Sequence, residues 1–212
     1  MRVTKHEHSC LVVEVAGTQL VIDPGSFTTP LIDVPNVAAI VITHEHPDHW
    51  TPEHLQRILE RTPDARLFGP PGVARAAPPD FAFTESAAGA STTVGPFSLR
   101  FFGSQHAVIH SSVPVVDNVG VMVNDELFYP GDAFTVPPVP VPTLAVPSGA
   151  PWMKISEVMD YVAEVKPARA FPVHEMGYSV IGKNMAYGRI QAMVEQGGGE
   201  FFWLDPTQWL DI

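Results

Sequence analysis

The sequence predicts an α/β (α+β) fold, because short apolar strand-like runs alternate along the chain with a few amphipathic helices. Hydrophobic residues make up 45% of the chain and charged residues only 17%, which is typical of a well-buried globule. Polar residues suited to chemistry follow four apolar runs, after residues 42, 102, 129 and 172. Such residues converge when strands end at one open edge of a sheet. The length of 212 residues fits a single domain spanning residues 1–212.

The strands are predicted from apolar or alternating runs that are bounded by glycine, proline, asparagine and aspartate. They fall at roughly 2–5, 10–15, 19–22, 37–43, 66–69, 97–102, 119–123, 126–129, 143–146 and 168–172. Ala16-Gly17-Thr18 and Asn124-Asp125 each separate two such runs, so both predict hairpins. The stretch 78–90, rich in proline, alanine and glycine, and the proline-rich run 136–142 predict loops.

Helical segments are expected between these strands, and two of them have clear signals. Thr51-Pro52-Glu53 has the pattern of an N-cap, a proline at the first helical position and an acidic first turn. Val158, Tyr161 and Val162 recur with the spacing of one buried helix face. The four helices are expected over about 52–61, 73–77, 156–165 and 185–196.

The bulk composition limits the partners that the chain can bind. A formal charge of −11, with only 12 lysines and arginines, argues against a nucleic-acid partner, since phosphate contacts need basic clusters. No apolar run approaches the length of a membrane span, so no membrane partner is expected. The N-terminal residues lack the apolar stretch of a signal peptide, and Cys10 stands alone and reads as a buried thiol, so a cytoplasmic protein is expected.

The segment His44-Glu45-His46-Pro47-Asp48-His49 places three imidazoles and a carboxylate within six residues, directly after an apolar strand. Alternate residues of an extended chain point to the same side, so His44 and His46 should face one place. Neutral imidazole suits zinc, iron and similar ions, and a carboxylate adds charge and a harder oxygen ligand. The segment can therefore hold two metal ions, which indicates hydrolytic chemistry.

Further polar residues follow this segment in a fixed order: His106, then Asp132 within Tyr129-Pro130-Gly131-Asp132, then His174. In this order the chain resembles the metallo-β-lactamase superfamily. Val21-Ile22-Asp23-Pro24-Gly25 and His8-Ser9-Cys10 are similar to its less characterised bacterial subgroup, which has lactonase-like and phosphodiesterase-like members. The resemblance implies a four-layer αββα sandwich with a metal site at one edge of its two sheets.

The resemblance also implies a set of metal ligands. It assigns His44, His46 and His106 to a first ion, Asp48, His49 and His174 to a second, and Asp132 as a bridge between both. Because all seven positions are present, we expect two divalent ions, with zinc favoured and manganese or iron as alternatives. Occupancy by a single ion stays open as the conservative alternative.

Three residues are candidates for proton transfer. A carboxylate beside a metal can act as a general acid and base, which is the role expected for Asp48. His8 and His110 are both candidates to protonate the leaving group. His110 also competes with His106 as a ligand, and we prefer His106 because it lies nearer the end of the 97–102 strand.

Three more residues have expected roles around the predicted ligands. Asp23 is expected to fix its loop or to support a ligand histidine. Glu175 follows His174 and should point the opposite way if the chain there is extended. Trp152 either lines a substrate pocket or packs as an ordinary aromatic side chain.

The leading hypothesis is a metal-dependent hydrolase that uses a metal-bridged hydroxide on a small intracellular ester, lactone, thioester or phosphodiester. A catalytically silent metal-binding or sensing protein of the same fold is the alternative. A redox-active di-iron site, also known in this superfamily, is disfavoured by the histidine-rich ligand set. A β-lactam substrate is disfavoured because an antibiotic-degrading enzyme should carry a signal peptide. Nothing in the sequence fixes an oligomeric state.

Overall fold

The computed structural model describes all 212 residues and contains fourteen strands and four helices. In chain order they are β1 (Arg2–Lys5), β2 (Leu11–Val15), β3 (Thr18–Ile22), β4 (Val37–Val41), α1 (Pro52–Leu59), β5 (Arg66–Gly69), α2 (Pro71–Ala76), β6 (Phe83–Glu85), β7 (Ser91–Val94), β8 (Phe97–Phe102), β9 (Gly120–Val123), β10 (Leu127–Tyr129), β11 (Thr143–Pro147), α3 (Ile155–Val165), β12 (Arg169–Val173), α4 (Val180–Gln196), β13 (Glu200–Phe201) and β14 (Trp209–Asp211).

The strands form two mixed sheets of seven strands each, in the orders β14-β1-β2-β3-β4-β5-β6 and β13-β12-β11-β10-β9-β8-β7. In the first sheet the pairs up to β2–β3 are antiparallel and the pairs from β3 to β6 are parallel. In the second sheet β7 to β10 are antiparallel and β10 to β13 are parallel. Strands β1, β3 and β4 therefore run in one direction, as do β8, β10, β11 and β12.

Side chains alternate between the two faces of each sheet, which builds the core in layers. Leu20 and Ile22 face the core between the sheets, whereas Val21 faces the outer core that contains Leu55 of α1. The second sheet has its own outer core, in which Val158 and other residues of α3 and α4 pack against β10, β11 and β12. The order of layers is helix, sheet, sheet and helix. The α/β class and the αββα sandwich are therefore confirmed.

Both predicted hairpins are confirmed, and their turns explain them. Ala16 and Gly17 have φ values of 51° and 78° between β2 and β3, and Asn124 and Asp125 have 53° and 55° between β9 and β10. Asparagine, aspartate and glycine tolerate this left-handed region best, and consecutive positive φ values suit the tightest hairpins.

Three helix boundaries differ from the prediction by two residues or more, and four strands were not predicted. Helix α2 begins at Pro71, two residues before the expected 73. Helix α1 ends at Leu59, and α4 begins at Val180, five residues before the expected 185, because Ser179 caps it by accepting a hydrogen bond from the Gly182 amide at 3.1 Å. The unpredicted strands are β6, β7, β13 and β14, and each is the end strand of a sheet. End strands pair on one side only and are short, so they carry no distinct apolar run. The prediction of a loop over 78–90 was wrong for Phe83–Glu85, which form β6.

None of the four helices combines the length and the apolar character that crossing a membrane requires.

Candidate metal centre

The candidate site lies at the carboxyl ends of strands that run in the same direction within each sheet. Parallel strands place their carboxyl ends at one edge, so the residues that follow them meet there. The residues that follow β1, β3, β4, β8, β10, β11 and β12 at this edge are, respectively, His8, Asp23, His44 to His49, His106, Asp132, Gly149 and His174.

The loop between β4 and α1 is shaped by close backbone packing. A Cβ atom on Gly25 would lie 1.9 Å from the carbonyl oxygen of Asp48, so only glycine allows this approach. The loop then enters α1, where the Thr51 hydroxyl accepts a hydrogen bond from the His54 amide at 3.2 Å and Pro52 occupies the first turn. This N-cap fixes the point at which the loop ends and holds His49 directly before the helix.

The candidate ligand atoms converge in three overlapping groups, within each of which all ligand atoms lie within 4.8 Å of one another. We call His44, His46 and His106 the first ligand group, and Asp48, His49 and His174 the second ligand group, beside which His8 lies. Asp132 converges with His44 and His49, and so connects the two groups.

Five buried polar atoms at this edge make no hydrogen bond. They are Nε2 of His44, His49, His106 and His174, and Oδ1 of Asp132. Unpaired buried polar atoms are rare because each one costs free energy, and here they are aimed at one another across a few ångströms. Four imidazole nitrogens and a carboxylate oxygen are the donor set that zinc and similar divalent ions prefer. The residues present therefore fit a metal centre.

Hydrogen bonds on the opposite ring nitrogen keep each Nε2 available. Nδ1 of His49 lies 2.7 Å from Oδ2 of Asp23, and Nδ1 of His174 lies 2.6 Å from the carbonyl oxygen of Gly149. Nδ1 of His106 lies 2.5 Å from the carbonyl oxygen of Ala107. These partners are acceptors, so in the neutral imidazole the ring proton resides on Nδ1 and the lone pair of Nε2 faces the centre.

Asp23 supports both ligand groups. Its Oδ1 accepts the Thr43 amide at 2.7 Å and its Oδ2 accepts the Thr43 hydroxyl at 2.6 Å. The same hydroxyl lies 3.1 Å from Nδ1 of His44 and accepts its proton there. Asp23 therefore holds His49 directly and His44 through Thr43, which is the supporting role expected from the sequence.

Asp132 is the most central carboxylate. It is 3% exposed, and its oxygens lie 3.1 Å from Nε2 of His174, 3.3 Å from that of His49 and 3.4 Å from that of His106. Burial opposes its charge, but the neighbouring imidazoles outweigh this and hold the pKa of Asp132 well below its usual range. The indole Nε1 of Trp152 donates a hydrogen bond to Oδ2 of Asp132 at 3.1 Å. Trp152 therefore contacts the centre, a role that the sequence left open.

The pKa values of His49 and His174 in the second ligand group are raised, whereas that of His44 in the first ligand group is lowered. Burial disfavours charge on His49, but Asp132 and Asp23 outweigh it and raise the pKa of His49 to about 9. Burial is likewise outweighed at His174, where Asp132 and Asp48 raise the pKa. Burial and then His49 lower the pKa of His44. Because metal ligands are neutral imidazoles, an ion that binds the second ligand group would displace protons.

His8 is hydrogen-bonded through both ring nitrogens. Its Nδ1 accepts the Met176 amide at 3.3 Å, so its proton lies on Nε2, which donates to Oδ2 of Asp48 at 3.1 Å. The His8 carbonyl accepts the His174 amide at 2.7 Å. Burial opposes charge on Asp48, but hydrogen bonds from His174 and His8 lower its pKa well below the usual range. His8 thus orients one member of the second ligand group and contacts another.

His110 lies apart from this arrangement. It is exposed, and its hydrogen bonds are with Ser112, through the hydroxyl at 2.7 Å and the amide at 3.1 Å. Its ring belongs to none of the three converging groups.

A buried ion pair beside His174 was not predicted from the sequence. Nζ of Lys5 lies 2.6 Å from Oε1 of Glu175, and the two side chains are 0% and 4% exposed. Glu175 is buried and its carboxylate contacts Lys5, and His174, with a φ of 63°, is not in the extended conformation on which the expected direction of Glu175 depended. The partners are 170 residues apart, so no local pattern indicates the pair. The pair fixes the start of the turn that follows His174.

Three residues of the site have strained backbone. His8, Asp23 and His174 have φ values of 60°, 47° and 63°, which residues other than glycine seldom adopt. Such strain persists where the surrounding structure holds the residue, and it concentrates at functional sites.

Comparison with known proteins gives consistent matches. A family profile described as "Beta-lactamase superfamily domain" matches residues 2–174. Protein Rv0786c of Mycobacterium tuberculosis is 38% identical over 198 residues, which cover 91% of this chain and 92% of that protein. Igni18, a metallo hydrolase from Ignicoccus hospitalis, superimposes with a TM-score of 0.73 and 17% identity, over 99% of this chain and 97% of its own. CmlA, a diiron beta-hydroxylase from Streptomyces venezuelae, gives 0.73 and 16%, over 100% of this chain and 54% of its own.

An αββα sandwich with imidazoles and carboxylates at one edge defines a class of metal-binding α/β proteins. Since the profile spans most of the sequence, the chain belongs to the metallo-β-lactamase superfamily. It has the fold of that metallo-hydrolase superfamily and a His/Asp cluster able to bind metal. The two structural relatives, at 17% and 16% identity, show the fold alone.

Proposed function

We propose that the protein, as one domain over residues 1–212, is a hydrolase that depends on two divalent metal ions. The first ligand group would hold one ion and the second ligand group the other, with Asp132 available to both. The observation that carries this proposal is the convergence of five buried polar atoms without hydrogen bonds, four imidazole nitrogens and one carboxylate oxygen. When bound, such ions supply a nucleophilic hydroxide at neutral pH and stabilise developing negative charge.

We propose zinc as the resident ion, with manganese and iron as alternatives. Five of the seven proposed ligands are imidazoles and two are carboxylates, a donor set that zinc and similar divalent ions prefer. Calcium and magnesium prefer oxygen-rich sites, so the donor set argues against them.

Asp48 is proposed as the residue that moves the proton. Its side chain is 27% exposed, whereas Asp132 is 4% exposed, so Asp48 is the ligand carboxylate that a substrate can reach. Asp48 is ionised, the form that can accept a proton from attacking water and then pass it to the leaving group. His8 positions Asp48, because each of its ring nitrogens already has a partner.

The small-molecule substrate and the reducing, cytoplasmic setting expected from the sequence remain part of this proposal. Cys10 is buried, and burial raises the pKa of its thiol, which supports an inert structural cysteine.

The test is hydrolysis of activated esters, lactones, thioesters and phosphodiesters by the zinc-loaded protein and by its Asp48→Asn variant. We expect metal-dependent turnover of at least one class and a loss of about 10²- to 10⁴-fold in the variant. Asp160→Asn, an exposed carboxylate on α3, is the matched control and should retain full activity. Zinc-loaded protein with no turnover above Asp48→Asn on any class would instead support a silent metal-binding protein.

A further inference from the structure

Asn118 is a fully buried residue that lies two positions before β9, at the edge of the sheets that carries the ligands. Its backbone pairs with that of His44 in an isolated antiparallel bridge, and its amide donates to the Ser104 carbonyl at 3.2 Å. The next amide, that of Val119, donates to the Thr43 carbonyl at 2.9 Å. Because β4 belongs to one sheet and β8 and β9 to the other, Asn118 lies where the two sheets are joined beside the first ligand group.

The Asn118 side chain holds the turn that carries Asp132. Its Nδ2 donates to the Pro130 carbonyl at 2.9 Å, and its Oδ1 accepts the Asp132 amide at 3.0 Å. Both hydrogen bonds are buried, and a carbonyl partner on one side with an N–H partner on the other fixes the orientation of the side-chain amide. One side chain therefore sets the position of the Asp132 backbone nitrogen.

Gly131, the central residue of this turn, lets Asn118 approach. Its φ is 64°, which favours glycine. A Cβ atom on Gly131 would lie 2.4 Å from Oδ1 of Asn118 and 2.8 Å from Cβ of Thr43. A larger residue would therefore push the turn away from both neighbours. The turn is packed against Asn118 and against Thr43, the residue that links Asp23 to the first ligand group.

The carbonyl of Asp132 is held as well. It accepts the amide of Ala107, which directly follows the ligand His106, at 2.8 Å. The Asp132 backbone is therefore tied through Asn118 to the strand end that carries His44, and through Ala107 to His106. A carboxylate shared by two ions has to be held to within about 0.5 Å of its place, because a shift toward one ligand group is a shift away from the other.

We infer that Asn118 is a positioning residue, which holds Asp132 where one carboxylate is available to both ions. The inference rests on the proposed two-ion centre and adds to it a residue that is not itself a ligand. Without Asn118, the Asp132 carboxylate can still turn toward either ligand group, but it is no longer held between them. The loss of metal affinity should therefore fall mainly on the second equivalent of metal.

A second asparagine makes the same pair of hydrogen bonds away from the site. Nδ2 of Asn124 donates to the Pro96 carbonyl at 3.4 Å, and its Oδ1 accepts the Ser98 amide at 2.7 Å. Asn124 follows β9, so it lies at the opposite end of that strand from Asn118. Asn124→Ala therefore measures what the loss of such a pair of hydrogen bonds does to the fold alone.

The test is a titration of the metal-free full chain with cobalt(II), a paramagnetic ion that accepts imidazole and carboxylate ligands as zinc does. Electron paramagnetic resonance follows each equivalent and detects the magnetic coupling of two ions that share a ligand. We expect the unmodified protein and Asn124→Ala to bind two equivalents as a coupled pair. Asn118→Ala should keep most of its affinity for the first equivalent, bind the second about 10- to 100-fold more weakly, and lose the coupling.

Crystal structures of the metal-free protein supply a readout that needs no ion. The Asp132 carboxylate should move by more than about 0.5 Å in Asn118→Ala and should keep its place in Asn124→Ala. Asn118→Ser is the second variant if Asn118→Ala does not fold. Its hydroxyl can bond to one of the two partners but cannot span both, so a smaller loss of the same kind is expected.

Three results would overturn the inference: a coupled pair of ions in Asn118→Ala with unchanged affinities, an equal loss of affinity for both equivalents, or an unmoved Asp132 carboxylate in the metal-free variant. The outcome is separable from the proposed function. If the unmodified protein and Asn118→Ala both bind two coupled ions, the two-ion centre stands and the role of Asn118 falls. If the unmodified protein binds one equivalent only, the two-ion proposal falls, and the metal-free structures still decide whether Asn118 positions Asp132.

Discussion

The two ligand groups at the sheet edge are held by different kinds of contact. In the second ligand group, His49 bonds to the carboxylate of Asp23, and His174 bonds to the Gly149 carbonyl and directly precedes the buried ion pair of Lys5 and Glu175. In the first ligand group, His44 bonds to a threonine hydroxyl and His106 to a carbonyl of its own loop. His46 is half-buried, and its ring makes no hydrogen bond.

The two groups show two ways in which a hydrogen-bond partner can orient a ligand histidine and change its basicity. A carboxylate partner makes an imidazole more basic and fixes its orientation, whereas neutral partners fix orientation alone. Charged supports also have a cost, because a buried charge that loses its partner destabilises the fold. The second ligand group should therefore be both the more basic half of the centre and the more sensitive half to mutation.

The largest expected effect is at the ion pair behind His174. Lys5→Met leaves Glu175 charged and buried, so the free energy of unfolding should fall by about 3–5 kcal/mol. The double variant Lys5→Met/Glu175→Leu should recover most of that loss. Arg2→Met, which breaks an exposed pair with Asp211, is the matched control and should change stability far less, because solvent screens that pair. Urea unfolding measures all three, and similar losses for Lys5→Met and Arg2→Met would contradict the comparison.

The next effect is a change of the free energy of unfolding with pH in the metal-free protein. The pKa of His49 is raised to about 9 in the folded state from about 6.5 in the unfolded chain, so its stabilisation is complete below pH 6.5 and is lost as the pH rises toward 9. The free energy of unfolding should fall between pH 6.5 and 8.5 by up to about 1.4 kcal/mol per pH unit for each such histidine. His44 acts oppositely, since its lowered pKa costs stability as the pH falls.

Urea unfolding of the metal-free protein at several pH values measures this decrease of the free energy of unfolding with pH. Asp23→Asn removes one of the carboxylates that raise the pKa of His49, and it should flatten the decline. A stability that rises between pH 6.5 and 8.5 would show that the second ligand group is not the more basic half.

A smaller effect is expected on metal affinity. Asp23→Asn should weaken metal binding by about 10- to 100-fold, because it removes the carboxylate behind His49. Thr43→Val removes only the neutral contact to His44 and its hydrogen bond to Asp23, so a lesser loss is expected. Competition with a chromophoric chelator measures both, and the idea fails if Thr43→Val weakens binding as much as Asp23→Asn.

The smallest effect is expected at Trp152. Trp152→Phe keeps an aromatic ring but removes the N–H that donates to Asp132, which should cost about 1 kcal/mol in metal affinity, or a few-fold. Trp203→Phe loses a similar hydrogen bond to Gln191 away from the site and should leave metal affinity unchanged. Equal affinities of Trp152→Phe and the unmodified protein would assign Trp152 to packing alone.

The sequence was sufficient for features that depend on near neighbours or on a known order of motifs. The αββα layers, both hairpins and the N-cap at Thr51 follow from local patterns and from the superfamily resemblance. The start of α4 was predicted late because Val180 and Ile181 are 72% and 74% exposed, which hides the helical periodicity. The four end strands lacked a signal because a strand that pairs on one side needs no continuous apolar run.

Contacts across the fold were harder to predict. Lys5 and Glu175, like Trp152 and Asp132, come together only after the two sheets have packed, and no spacing in the sequence encodes their distance. His8 illustrates the same limit: its contacts with Asp48 and Met176, on which its proposed positioning role rests, could not be predicted from the sequence. The metal-ligand residues could be proposed from motifs. The residues that hydrogen-bond to those ligands could be identified only from the structure.

The most direct test of the account is a crystal structure of the zinc-loaded protein with anomalous diffraction recorded on both sides of the zinc edge. Two anomalous peaks are expected about 3.5–4 Å apart, one beside the first ligand group and one beside the second, with Asp132 between them. Diffraction from zinc-loaded crystals with no peak at this edge of the sheets, or with a peak that the converging imidazoles do not contact, would contradict it.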